Sequence, residues 1–144
     1  MADSEEIKAL NDLLKGLYMG IHAYEHFIER LKDQAMKREF QNIQQEIKSQ
    51  AQNVSERVQN LKGVPMDSEG MIGAIQGYLS SLQIPDDVDG IVNKAIQGET
   101  MGIELAEKTV RGNLSSESYE LVRALLDKDR EHVKKLQSFI QQIV

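Results

Sequence analysis

Apolar side chains recur at steps of three and four residues through four long stretches of the chain, and this spacing restricts what it can fold into. In the first stretch the apolar seam consists of Ile7, Leu10, Leu14, Leu17, Ile21, Tyr24, Ile28 and Leu31. Because an α-helix turns once every 3.6 residues, such steps place apolar groups on one face. The pattern predicts four amphipathic helices, at about 5–32, 35–62, 87–111 and 116–143.

The segments between these helices carry residues that break or cap helices. Lys32-Asp33-Gln34 predicts a tight turn between the first two helices. Gly63 is expected to cap the second helix, since glycine is common just past a helix end, and Pro65 follows it. The segment 63–86 is punctuated by glycine and proline, yet it keeps apolar residues that predict a short helix around 71–82. We interpret it as a packed crossover.

Two helical hairpins joined by a long crossover predict an all-α, single-domain four-helix bundle over residues 1–144. A simple up-down-up-down bundle is the alternative, but its connections are normally much shorter than 63–86. The chain has a net charge of −6 and no cysteine, and no run of apolar residues is long enough to cross a bilayer. We therefore expect no nucleic-acid partner, no membrane insertion and a cytoplasmic location.

A six-residue stretch is nearly repeated between the two halves. Residues 16–21 read GLYMGI, and residues 98–103 read GETMGI. Applied to both hairpins, the same offset keeps apolar residues matched with apolar residues, which we interpret as an internal duplication. Glycine inside a helix is unfavourable, and we attribute the repeated glycines to close approach of a neighbouring helix or of a bulky side chain such as that of Tyr24.

The same offset exposes three mismatched pairs, in which the first half is apolar or an amide and the second half is ionisable. These pairs are Leu17 with Glu99, Ile47 with Asp129, and Gln50 with His132. All six positions fall on the predicted core seams. Burying two carboxylates and an imidazole is costly without partners. The candidate partners are each other, Gln50, the Tyr24 hydroxyl, water or a metal ion.

The chain resembles ferritin-like proteins, close to rubrerythrin-related bacterial proteins with a domain of unknown function. The resemblance rests on Gly20-x-x-x-Tyr24, Gly63-Val-Pro65, Gly98-Glu99 and Asp129-x-x-His132. In that superfamily, two helices each give one Glu, the other two each give Glu-x-x-His, and the set holds two irons. The resemblance implies that Leu17, Ile47 and Gln50 replace three of these ligands. The di-iron set is therefore incomplete, and a di-iron oxidoreductase is disfavoured.

Three hypotheses remain for the ionisable residues Glu99, Asp129 and His132. They could form a hydrogen-bonded polar cluster without a cofactor, in which one carboxyl is protonated. They could instead hold a single Zn, Fe or Mn ion together with water, or form an acid–base site. The sequence favours the first, and with it a non-catalytic structural or interaction protein. The resemblance adds a possible stress or spore role.

The first helix carries a second polar group, made of His22, Glu25, His26 and Glu29. These residues flank the apolar seam, so we interpret them as a solvated face with pairing along the helix, not as a metal site. Tyr18 and Phe27 lie close by in the sequence. We expect this face to contact another copy of the chain in a homodimer or a larger homo-oligomer.

Overall fold

The computed structural model describes the backbone of residues 4–143 and the side chains of residues 4–140. It contains five helices: α1 (Ser4–Arg30), α2 (Gln34–Asn60), α3 (Ile72–Leu82), α4 (Val88–Val110) and α5 (Ser116–Ile143). A 3-10 turn at Glu69–Met71 leads into α3. No strand occurs among residues 4–143, and none of their helices has an apolar stretch that could span a bilayer. The predicted all-α fold is confirmed. The side chain of Ile143, the last residue of the predicted fourth helix, lies outside the described residues.

The four long helices surround one core. Helix α1 packs against α2 and α4, and α5 packs against α4 and α2, so the two hairpins lie face to face. The fully buried side chains come from all four helices and include Leu10, Phe40, Val54, Ile91, Val92, Val122 and Leu136. This core is the one that the apolar seams predict.

The crossover runs along α1 and is attached at both ends. At one end the Asn11 side chain donates to the Val64 carbonyl at 3.1 Å and accepts from the Met66 amide at 2.8 Å. At the other end the Arg30 guanidinium donates to the Ile84 carbonyl. Since these contacts join the start of α1 to the end of α2, and the end of α1 to the start of α4, the connection spans the bundle. This is the long crossover of the ferritin-like arrangement.

The end of α2 differs from the sequence expectation. Lys62, not Gly63, adopts the left-handed conformation, with φ at 69°. The Gly63 amide donates to the Val58 carbonyl at 2.9 Å and the Lys62 amide donates to the Gln59 carbonyl at 2.9 Å, which is the Schellman pattern. Gly63 is required for another reason, because a Cβ there would lie 2.8 Å from Ile7 Cγ2.

The aromatic side chain of Phe27 is also placed differently from the expectation. It is 2% exposed and belongs to the core, so it is not part of a contact surface on α1. Its ring packs edge-on against Tyr24 at 5.5 Å and against Phe40 at 6.2 Å. Tyr18, by contrast, is half-buried at the surface of the bundle. The aromatic cluster supports Tyr24, whose hydroxyl reaches the site described next.

Candidate metal centre

Helices α4 and α5 bring three ionisable side chains together inside the bundle. Glu99 projects from α4, and Asp129 and His132, three residues apart, project from one face of α5. The three are 6%, 5% and 3% exposed. Each offers one ligand atom, and these atoms lie within 4.8 Å of one another. The three residues singled out by the internal repeat therefore form one buried cluster.

The first hairpin supplies hydrogen bonds to this cluster. The Tyr24 hydroxyl donates to Glu99 Oε1 at 2.8 Å, and Gln50 Nε2 donates to Asp129 Oδ1 at 3.2 Å. Within the cluster, His132 Nδ1 lies 3.3 Å from Glu99 Oε1 and 3.9 Å from Asp129 Oδ1. Tyr24 and Gln50, both expected as partners, thus each engage one carboxylate.

Burial and mutual repulsion set the charge of the cluster. Burial and then the neighbouring Glu99 charge raise the pKa of Asp129 to about 7, although Gln50 and His132 act in the opposite direction. Burial alone would lower the pKa of His132, but Glu99 and Asp129 outweigh it, so the pKa lies above its usual value. Burial and the Glu99 charge raise the pKa of Tyr24 well above its usual value, which keeps its hydroxyl a donor. Near neutral pH the cluster therefore shares its protons among closely spaced groups.

One buried polar atom of the cluster, His132 Nε2, makes no hydrogen bond, and neither does Oε1 of its partner Gln50. The nearest acidic group to the imidazole Nε2 is Glu46 on α2, with its Oε1 at 3.7 Å. Glu46 also pairs with Lys128 on α5 at 3.2 Å. Histidine ligands in metal sites commonly present their second nitrogen to a carboxylate. Glu46 stands where such a carboxylate would be needed.

Sequence reasoning missed Glu46 because it lies one residue before the apolar seam of α2 and is partly exposed. One signal could have found it. The repeat offset pairs Glu46 with Lys128, two opposite charges at equivalent positions, and the structure shows that they contact each other across the bundle.

The residues present do not fit a di-iron centre. Such a centre takes carboxylate and histidine ligands from both hairpins. At the equivalent positions of the first hairpin, Leu17 and Ile47 are buried apolar residues, and Gln50 is engaged with Asp129. The second hairpin alone supplies Glu99, Asp129 and His132, a set that fits one ion.

The polar residues on the outer side of α1 do not assemble a second site. His22 Nδ1 lies 3.6 Å from Glu25 Oε2, and the His22 side chain is partly exposed while that of Glu25 is exposed. Among the described residues, the cluster of Glu99, Asp129 and His132 is the one group of three or more candidate ligands close enough to share an ion. The outer face of α1 has the solvated character that the sequence predicted.

Comparison with known proteins identifies a matching family and a set of structures with the same fold. The family described as "Domain of unknown function (DUF2383)" matches residues 5–112, a span that includes Glu99 but ends before α5. No curated protein matches the chain. Several solved structures do, with identities that support the fold alone.

Three of these structures are from bacteria. A dodecameric, bacterioferritin-related thioferritin from Bacteroides fragilis has a TM-score of 0.76 at 18% identity, over 96% of this chain and 86% of that one. A Dps protein from Vibrio cholerae O1, described as a member of a broad superfamily of ferritin-like diiron-carboxylate proteins, has a TM-score of 0.76 at 16% identity. The match covers 96% of this chain and 91% of that one. A ferritin-like diiron-carboxylate protein from Bacillus anthracis has a TM-score of 0.73 at 21% identity, and the match covers 94% of each chain. The bundle described above is therefore ferritin-like.

Proposed function

We propose that this chain, which belongs to the DUF2383 family and has a ferritin-like fold, binds a single divalent metal ion through Glu99, Asp129 and His132. One observation carries the proposal: three buried side chains of ligand type place one atom each within 4.8 Å of the others. Two carboxylates and one imidazole suit Zn, Fe or Mn. Three protein ligands leave further positions for water.

The charge balance of the cluster supports a cation. The carboxylates of Glu99 and Asp129 lie almost out of contact with water, and their repulsion contributes to the raised pKa of Asp129. A divalent ion would compensate both negative charges and would take the place of the proton on Asp129. Such an ion would supply a Lewis acid with exchangeable water ligands.

The partners from the first hairpin would orient the ligands. Tyr24 donates to Oε1 of Glu99, and Gln50 donates to Oδ1 of Asp129. Oε2 of Glu99 lies 3.4 Å from Nδ1 of His132, so an ion bound by both residues would replace that contact. Glu46, near Nε2 of His132, would accept its proton and leave Nδ1 as the ligand atom. The chain's own groups thus favour one tautomer and one carboxylate orientation.

The alternative function is that of a metal-free bundle that acts only through its surface. The hydrogen bonds from Tyr24 and Gln50 favour it, because they already satisfy part of the cluster. A carboxyl that holds a proton near neutral pH, as Asp129 would, removes one buried charge. Metal titration separates the two functions.

The test uses the full chain without a histidine tag. Bound metal is measured by elemental analysis, and Zn, Mn and Fe(II) are titrated by calorimetry into protein treated with EDTA. We expect one ion per chain, lost in His132→Ala and kept in His22→Ala, which removes a histidine from the exposed face of α1. Wild-type binding no stronger than that of His132→Ala would contradict the proposal and favour the metal-free bundle.

A further inference from the structure

A cavity of about 280 Å³ lies between α1 and α4 and reaches inward to the polar cluster. Met101, which is 60% exposed, is among its lining residues, so the cavity opens at the surface. Its wall is mostly apolar and includes Leu13, Leu17, Phe27, Ile47, Leu105 and Leu125. The cavity is therefore an apolar pocket with a polar floor.

The repeated glycines form part of this wall. Gly16, Gly20, Gly98 and Gly102 all line the cavity. A Cβ at Gly20 would meet nothing within 4 Å, while one at Gly98 would have its nearest neighbour at 3.9 Å and one at Gly102 at 3.8 Å. Close helix approach, our sequence expectation, therefore holds only for Gly16, whose Cβ would lie 3.1 Å from Leu105. The other three maintain open space at a cost to each helix of about 0.5–1 kcal/mol per residue.

The floor of the cavity has one unmet polar requirement. Gln50 lines the cavity, is 9% exposed and uses its Nε2 on Asp129, and its Oε1 accepts no hydrogen bond. The two carboxylates at the floor, Glu99 and Asp129, already have donors. Oε1 itself has less than 1 Å² of accessible surface, so a donor in the cavity reaches it only when the Gln50 amide rotates slightly. A molecule in the cavity that carries an N–H or O–H donor would then supply the hydrogen bond that the Gln50 carbonyl lacks.

We propose that this cavity binds a small neutral aromatic molecule with one donor group, of the phenol or indole class. The ring would occupy the space between the glycines, and the donor would bond to Gln50 Oε1. Apolar cavities of roughly 150 Å³ already accept benzene. A charged molecule would bury its charge against a mainly apolar wall, which is costly. The inference does not depend on a metal ion, because Gln50 is not among the proposed ligands.

The test titrates phenol, indole and toluene into the full chain in EDTA, with binding followed by calorimetry and by NMR shifts. We expect saturable binding of phenol and indole, and about fivefold weaker binding of toluene, which lacks the donor. In Gln50→Leu the affinity for phenol should fall to that for toluene. A wild-type chain that binds toluene as tightly as phenol would overturn the role of Gln50.

Filling the cavity tests its location. Gly20→Leu should weaken phenol binding at least tenfold, because its side chain would enter the open space at that position. Gly77→Leu is the matched control: this helical glycine on α3 also has open space around it and does not line the cavity. Circular dichroism checks folding, and Gly98→Leu is a second filling variant. Unchanged phenol affinity in both filled variants, or no saturable binding to the wild type, would overturn the proposal while leaving the metal titration unaffected.

Discussion

At the scale of single residues, the polar cluster depends on groups that face each other across the two hairpins. Tyr24 and His132 both contact Glu99, and Gln50 contacts Asp129. A buried polar group that loses its partner costs more than the hydrogen bond itself contributes. A single substitution in the cluster is therefore expected to lower the free energy of unfolding more per residue than a double substitution that removes both partners of a hydrogen bond.

Glu99→Leu should lower the free energy of unfolding by about 1–3 kcal/mol, because it removes the acceptor of the Tyr24 hydroxyl and the carboxylate nearest to His132. Adding Tyr24→Phe should recover part of this loss, since the stranded hydroxyl is removed. Urea unfolding in EDTA measures both variants against Tyr24→Phe alone. Strictly additive losses would show that the hydroxyl and the carboxylate are not coupled.

Glu46→Gln should weaken metal binding by about tenfold or more, because the carboxylate that would hold the second nitrogen of His132 loses its charge. The matched control is Glu131→Gln, which removes the other carboxylate partner of Lys128, also at 3.2 Å. Zinc titration by calorimetry measures both. Equal affinities in the two variants would assign Glu46 only to the surface ion pair with Lys128.

The cluster was predictable because the internal repeat indicates which positions of the second half lie in the core. Positions where the first half is apolar or an amide must be core positions in the second half too, so Glu99, Asp129 and His132 stood out. Glu46 did not, since its role depends on the side of α2 that faces α5 and not on its own helix pattern. The long side chain of Glu46 reaches the buried His132 although Glu46 lies off the apolar seam. A periodic pattern of apolar residues does not show how far a side chain extends.

At the scale of helices, the end of α2 offers a direct test. Lys62 has a positive φ of 69°, a region that costs side-chain-bearing residues roughly 1–2 kcal/mol. Lys62→Gly should therefore raise the free energy of unfolding by about 0.5–1 kcal/mol, the remainder being lost to the greater freedom of glycine in the unfolded chain. Thermal and urea unfolding measure the change. A destabilised variant would contradict the Schellman geometry.

Gly63→Ala should act in the opposite direction, because the added Cβ would lie 2.8 Å from Ile7 Cγ2 and 3.1 Å from Val58 Cγ1. The sequence indicated correctly that the helix stops here, since glycine and proline cluster at this point. It assigned the left-handed residue to the wrong position, because the glycine at 63 gives room to Ile7, a residue of another helix, and does not adopt a positive φ.

The start of α5 is capped from α1. The Glu6 carboxylate, 5% exposed, accepts from the Ser115 amide at 3.1 Å, from the Ser115 hydroxyl at 2.7 Å and from the Ser118 hydroxyl. Burial acts to raise the pKa of Glu6, but the bonds from Ser118 and Ser115 and the charge of Arg57 outweigh it, so the pKa is lowered. The ionised carboxylate is therefore the form that stabilises the fold.

Because the pKa of Glu6 is lower in the folded chain than in the unfolded chain, its contribution is fully present above the ordinary value of 4.5 and is lost as the pH falls through the folded-state value. Glu6→Gln should cost about 1–3 kcal/mol at pH 7. The difference from the wild type should shrink in acid. Urea unfolding from pH 7 to pH 3 measures it, with Glu104→Gln on the exposed side of α4 as the control. A difference that does not vary with pH would contradict this cap.

At the scale of the whole molecule, the architecture followed from few features. Four amphipathic seams and one long, glycine-rich connection predicted two hairpins and a crossover, and the structure shows them. The position of the crossover against α1 was not predictable, because it depends on individual contacts such as those of Asn11 and Arg30. Polar anchors of this kind have no periodic signature.

Association with further copies stays a prediction. We expect a mass above the 16.3 kDa of one chain in light scattering coupled to size exclusion. Tyr18 and His22 are partly exposed and line a shallow groove between α1 and α2, which we expect to be part of the contact. Tyr18→Glu with His22→Glu should reduce the mass to that of one chain, whereas Gln97→Glu on α4 should not. A wild-type mass of one chain would contradict the expectation.

The Glu6 carboxylate is made 109 residues before the serine amide that it caps. While the ribosome extends the chain, α1 and α2 can pair through their apolar seams, but the three donors that this carboxylate accepts from belong to Ser115 and Ser118 and are synthesised much later. The cap at this end of the bundle therefore cannot form before the start of the last helix has left the ribosome.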